Sequence, residues 1–132
     1  VDRLQHTDEA TAAAAIFTSQ HFKVKAIAAL TQSGNAAQWL SRADSSVPIY
    51  ALSPDKVARR KLTLHRNVFP FPSEQSGKNR DEILLEMEQV LLNNEAVQAG
   101  DTVLLTFGEP IGSLGGTNTL KIIKIGENRP TA

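Results

Sequence analysis

The run Ala26-Ile27-Ala28-Ala29-Leu30 has no polar interruption, and it constrains the fold more than any other part of the chain. A strand with one wet face alternates apolar and polar side chains. An unbroken run this short suits a strand covered on both faces, as in a parallel sheet between layers of helices. Residues 24–30 therefore read as a central parallel strand. After the turn at Ser33-Gly34, Ala36, Trp39, Leu40 and Ala43 recur at helical spacing, and Pro48-Ile49-Tyr50-Ala51-Leu52 gives a second short buried strand. Together these make a βαβ unit with a right-handed crossover.

The flanking segments extend the alternation. Thr7, followed by Asp8 and Glu9, reads as an N-cap with an acidic first turn, and Ala10, Ala13, Ala14 and Phe17 fall on one face of a helix ending near His21. Ser53-Pro54-Asp55 places a cap residue before a proline at the first helical position, which predicts a helix through Val57 and Ala58 towards Leu62. Val68-Phe69 is a short third strand, and residues 70–78 have loop composition. Asn79 with Glu82 matches a capping box, opening a helix whose apolar face is Ile83, Leu84, Met87, Val90 and Leu91. Gly100-Asp101 turns into a fourth strand over 102–107. A glycine-rich loop over 108–118 leads to a last strand over 119–125, whose lysines on both faces suit a sheet edge. With no helical pattern between them, the last two strands join most simply as antiparallel neighbours. The expected architecture is a three-layer α/β/α fold with a five-stranded mixed sheet, mostly parallel, the last strand antiparallel.

Composition narrows the class. A chain of 132 residues fits one domain. Fourteen basic residues balance 14 acidic ones, so no long-range field steers it to nucleic acid or an anionic membrane. The absence of cysteine removes disulfides, thiolate metal sites and cysteine nucleophiles, and fits a cytoplasmic location. No apolar run approaches the roughly 20 residues of a membrane span. The sequence opens on Val1 and its sole methionine is Met87, so a fragment of a larger protein is the expectation.

Ligands of open α/β sheets collect beyond the carboxyl ends of strands, where the strand order reverses. The turn after the first strand fits such a place. Thr31 and Ser33 offer hydroxyls, Gly34 permits close backbone approach, and the helix from Asn35 and Ala36 directs its first N–H groups there. A plain helix cap explains the same residues equally well. The loop Gly108-Glu109-Pro110-Ile111-Gly112-Ser113-Leu114-Gly115-Gly116-Thr117-Asn118 is the second candidate, facing that turn if the first and fourth strands are neighbours. His6, His21 and His65 are too scattered to predict a metal site. Glu82, Glu86 and Glu88 read as a solvated helix face, as does the basic group Lys56, Arg59, Arg60, Lys61, His65 and Arg66. No nucleophile elbow, Walker lysine or complete dinucleotide fingerprint is present, so no catalytic residue is predicted.

Leu30-Thr31-Gln32-Ser33-Gly34, Pro48-Ile49-Tyr50-Ala51-Leu52-Ser53, Leu64-His65-Arg66-Asn67-Val68-Phe69-Pro70, Gly100-Asp101 and Gly115-Gly116-Thr117-Asn118-Thr119 together resemble the carboxy-terminal domain of pyruvate kinases. The resemblance runs from Asp8 to Ile125, and the order and spacing of the blocks make it more specific than any one of them. It implies a regulatory domain that binds a phosphorylated effector and helps form a tetramer. Transfer of phosphate from phosphoenolpyruvate to ADP, with magnesium and potassium, would belong to a separate barrel domain of the same chain. Carried over by motif, Thr31, Gln32, Ser33, Gly34, Asn35 and Ala36 match the effector phosphate loop. Gly112, Ser113, Gly115 and Gly116 lie in the segment that closes over the sugar. Many relatives regulated by fructose 1,6-bisphosphate have a basic residue at Gln32 or Asn35 and a hydroxyl at Ala36. Their absence favours a monophosphate, such as a sugar monophosphate or AMP. A stand-alone phosphosugar-binding protein or enzyme is the alternative, and an interface domain with a decayed anion loop is a third.

Overall fold

The computed structural model describes residues 6–43, 45–108 and 116–127. Its elements alternate as expected: α1 (Thr7–His21), β1 (Ala26–Leu30), α2 (Asn35–Arg42), β2 (Ile49–Ser53), α3 (Lys56–Leu62), β3 (Val68–Pro72), α4 (Arg80–Asn93), β4 (Thr102–Phe107) and β5 (Thr119–Lys124). The sheet order is β3-β2-β1-β4-β5. The first four strands are parallel, while β5 runs antiparallel to β4, with Thr102 opposite Lys124 and Phe107 opposite Thr119. This is the three-layer mixed-sheet architecture that the sequence predicts.

Both faces of β1 are covered, which is why its run is unbroken. Ala26, Ala28 and Leu30 pack with Leu52, Leu105 and Phe107 beneath Ile83, Leu84, Met87 and Leu91 of α4. Ile27 and Ala29 pack with Ile49, Ala51 and Leu104 beneath Ala12, Ala15 and Ile16 of α1, Ala37 and Leu40 of α2, and Leu62 of α3. Small side chains on β1 sit beside large ones on β4, with Ala26 next to Val103 and Ala28 next to Leu105, so bulk on one strand complements its lack on the other.

Several local expectations change. The buried face of α1 is Thr11, Ala12, Ala15 and Ile16, whereas Ala10, Ala13, Ala14 and Phe17 are exposed. Residues 10–17 are apolar nearly all round, so spacing alone cannot choose a face, and the bulk of Ile16 decides it. In α3 the N-cap is Asp55, whose Oδ1 accepts from the Val57 N–H at 2.9 Å; Ser53 instead ends β2. β3 extends to Pro72 and pairs Pro70 with Ala51 and Pro72 with Ser53. A proline lacks the N–H a central strand must donate but is tolerated where that group would face outward, as at this edge.

α4 begins as its capping box predicts: Asn79 Oδ1 accepts from the Glu82 N–H at 2.9 Å and Glu82 Oε1 from the Asn79 N–H at 3.1 Å. Asn79→Ala should therefore cost about 1 kcal/mol of unfolding free energy, read from the shift of a urea midpoint. Glu88 is not on a solvated face. It is 1% exposed, and its Oε1 accepts from the backbone N–H of Gly126 just beyond β5. A charged residue at an apolar-facing helical position looks the same in sequence whether water or a backbone amide receives it.

Candidate functional site

The chain leaves β1 for β2 and β3 on one side, then returns through α4 to place β4 on the other side of β1. The carboxyl ends of β1 and β4 thus carry diverging loops at the switch point, where open α/β sheets bind ligands. Ala29 lies beside Thr106, so two residues further on Thr31 comes level with Gly108.

The turn after β1 is held by its own side chains. The Thr31 N–H donates to Leu52 O at 2.9 Å, carrying the strand pairing one residue further. Thr31 Oγ1 accepts from the Gly34 N–H at 2.9 Å, and Ser33 Oγ from the Asn35 N–H at 3.4 Å. Gly34, the N-cap of α2, has φ of 92°, and a Cβ there would stand 3.3 Å from Leu62 Cδ2. Left-handed backbone and the leucine beneath it both select glycine. Having no side chain, Gly34 caps nothing. The first N–H to bond within α2 is that of Gln38, to Gly34 O at 3.0 Å. The amides of Ala36 and Ala37 remain at the positive end of the helix dipole, an arrangement that receives anions.

The other predicted site residues divide into groups. Ser33 and Asn35 are exposed; Thr31 and Ala36 are buried. The Gln32 side chain turns away from the helix end. Its Nε2 donates to Gln75 Oε1 at 2.8 Å, while its carbonyl accepts from Ser53 Oγ at 2.9 Å. Of the second loop, Gly116 is exposed with φ of 83°, and Gly112, Ser113 and Gly115 lie outside the described residues. The ends of that loop are pinned. The Asn118 N–H donates to Phe107 O at 3.0 Å, Thr11 Oγ1 donates to Thr117 O at 3.3 Å, and Gly108 meets the Gly116 carbonyl so closely that a Cβ would collide with it.

Two residues acquire roles that their spacing did not signal. Arg59 does not lie on a wholly solvated face, because its Nη1 donates to Ser53 O at 2.7 Å, against the carboxyl end of β2. Gln75 falls inside the loop between β3 and α4, where no periodicity marks it, yet it is 6% exposed. The same loop is fixed by Glu86, which accepts from Ser73 Oγ and pairs with Lys78. That hydrogen bond to Glu86 holds the Lys78 ammonium above the ordinary lysine value of 10.5; the Glu86, Glu74 and Glu82 charges add to the effect, and desolvation opposes it. A raised lysine pKa stabilises the fold throughout the range below 10.5 and ceases to do so as pH climbs through the folded-state value. The deficit in urea midpoint of Lys78→Met should accordingly be constant around neutrality and shrink in strong alkali.

Among the described residues, no group of three or more His, Asp or Glu could hold a metal ion. No described helix is long and apolar enough to cross a membrane.

Comparison with known proteins agrees with this architecture. Residues 9–123 match the family model described as "Pyruvate kinase, alpha/beta domain". The chain is 35% identical over 119 residues to a pyruvate kinase of Sporosarcina psychrophila, covering 90% of this chain and 20% of that protein. It is 38% identical over 110 residues to a pyruvate kinase of Clostridium perfringens, covering 82% of this chain and 23% of that protein. A pyruvate kinase of Buchnera aphidicola subsp. Schizaphis graminum is 35% identical over 127 residues, covering 92% and 25% respectively. The chain thus spans a fifth to a quarter of the length of these relatives. With its sheet order, its switch-point turn and a match across residues 9–123, the chain belongs to the pyruvate kinase alpha/beta domain family.

Proposed function

We propose that this chain is the regulatory and subunit-contact domain of a cytoplasmic pyruvate kinase, receiving the phosphate of a small effector at residues 31–36 and catalysing nothing alone. The observation that carries the reading is the turn itself. It sits at the switch point beyond β1, with Gly34 in the left-handed region and, among the described residues, no acceptor bonded to the amides of Ala36 and Ala37. Phosphoryl transfer is assigned to a barrel domain of the same polypeptide, with its magnesium and potassium.

Charge selects the effector. Gln32 is tethered to Gln75, Asn35 and Ala36 carry no charge, Arg59 holds Ser53 O, and Lys78 is paired with Glu86. Helix amides and the Ser33 and Thr31 hydroxyls suffice for one phosphate, and residues 31–36 themselves carry no cation to meet a second, so a sugar monophosphate or AMP is favoured over fructose 1,6-bisphosphate. In the assembled enzyme such an effector acts through its different affinity for two quaternary states. Subunit contact is supported by the exposed face Ala10, Ala13, Ala14 and Phe17 of α1, and by β5, an edge strand whose Ile122 is 51% exposed.

Calorimetric titration of the chain with ribose 5-phosphate, AMP and fructose 1,6-bisphosphate tests the assignment. Monophosphate binding that weakens several-fold in Ser33→Ala supports it. Tighter binding of the bisphosphate overturns the effector choice, and no binding of any of the three overturns the phosphate site.

A further inference from the structure

Two separate attachments join α3 to the turn after β1. At the amino end the link is a chain of hydrogen bonds through the buried Ser53. Its Oγ donates to Gln32 O at 2.9 Å and accepts from the Asp55 N–H at 3.1 Å, and its carbonyl accepts from Arg59 Nη1 at 2.7 Å. Asp55 in turn caps α3 by accepting from the Val57 and Ala58 N–H groups. At the carboxyl end the link is packing, because Leu62 lies beneath Gly34. The helix is also the most lightly held of the four. It has seven residues and buries only Ala58 and Leu62, whereas α4 buries five side chains. Leu62 is thus both half of the helix's own anchorage and the floor of the turn.

We infer that α3 is a lever that registers whether residues 31–36 hold a phosphate. The inference rests on the phosphate reading of that turn and concerns its regulation. A phosphate drawing on the amides of Ala36 and Ala37 fixes the backbone at Gly34 and Asn35, and in a close-packed interior an adjustment there passes to the side chain beneath. β1 cannot absorb it, being hydrogen-bonded to β2 on one side and β4 on the other. Leu62 carries the adjustment to the carboxyl end of α3, while Ser53 and Arg59 tie the amino end to Gln32, so the short helix follows as one body. Its outer side, with Val57 57% exposed and Leu64 just past its end 86% exposed, carries the change to the surface. Linkage makes the device reciprocal: whatever steadies α3 in the occupied position tightens phosphate binding, and whatever loosens α3 weakens it.

The test uses the 132-residue chain with ribose 5-phosphate as the probe. Saturating ribose 5-phosphate should slow hydrogen exchange several-fold at the amides of Leu64 and His65, which donate to Lys61 O and Leu62 O at the end of α3. The amide of Asn94, which donates to Val90 O at the end of α4, should be unchanged. Asp55→Ala removes the cap of α3 without touching the turn and should weaken ribose 5-phosphate binding about fivefold by calorimetry. Asn79→Ala, the equivalent loss on α4, should leave the affinity unaltered, which separates coupling from general destabilisation. Unchanged exchange at Leu64 and His65 in the parent, or equal affinities in the two variants, overturns the lever and leaves the phosphate site standing. If ribose 5-phosphate does not bind the parent, both fall.

Discussion

Leu62→Ala should lower the unfolding free energy by about 3 kcal/mol, the usual cost when a fully buried leucine leaves a cavity that its surroundings fill only partly. Leu62 has no exposed surface, ends α3, and packs with Leu40 and Ile49. It is also the side chain directly under Gly34, with its Cδ2 3.3 Å from where a Cβ would be, closer than ordinary van der Waals contact. The substitution should therefore have a second effect that an equally destabilising change elsewhere in the core lacks. With its floor removed, the turn from Thr31 to Asn35 should lose order, and phosphate affinity should fall at temperatures where the domain is still folded. Urea denaturation followed by circular dichroism gives the first quantity, and calorimetry with ribose 5-phosphate gives the second. Leu91→Ala, on the inner face of α4 in the opposite layer, is the matched control. It should cost similar stability and leave affinity unchanged.

Gly108→Ala is the other large effect, at about 2 kcal/mol, for a different reason. Its Cβ would collide with the carbonyl oxygen of Gly116, a backbone atom that cannot rotate aside as a side-chain tip can. Relief requires moving Gly116, hence Thr117, whose carbonyl is held by Thr11 Oγ1, and Asn118, whose N–H is held by Phe107 O. The loss should thus include fraying at the β4–β5 end of the sheet, visible as faster amide hydrogen exchange at Asn118 while the amide of Val103 keeps its protection. Uniform exchange across β4 would mean that the collision is absorbed elsewhere.

How much of this was legible beforehand follows from what each pattern encodes. The doubly covered β1, the antiparallel β5 and the capping box at Asn79 were readable because burial on two faces, a loop without helical periodicity and an Asn with Glu three positions on each leave a local mark. The face of α1 was not, since alanines on every side carry no contrast. The cap of α3 was misplaced by two residues because Ser53, Pro54 and Asp55 all favour helix starts, and Ser53 is claimed by the last strand-like pairing of β2 with β3. In the site, Thr31, Ser33 and Gly34 could be placed from turn chemistry alone. That Gln32 would reach 43 residues along the chain to Gln75, instead of towards a ligand, depends on how two loops converge at the end of a folded sheet. Nothing local encodes that meeting, and the same holds for Glu88 and the Gly126 amide.

The two prolines of β3 carry a consequence for assembly. With 70 and 72 unable to donate, the outer margin of β3 offers a neighbouring strand two missing N–H groups, whereas β5 offers a complete margin. The sheet is thus sealed on one flank and open on the other, like a tile with a single adhesive side. Two copies related by a two-fold axis can join along β5, and that union consumes the open flank of both while turning sealed flanks outward. Pairing of that kind would end at two copies, because it would leave only the proline-bearing margins facing outward. Any larger oligomer must then recruit a surface other than the sheet margin.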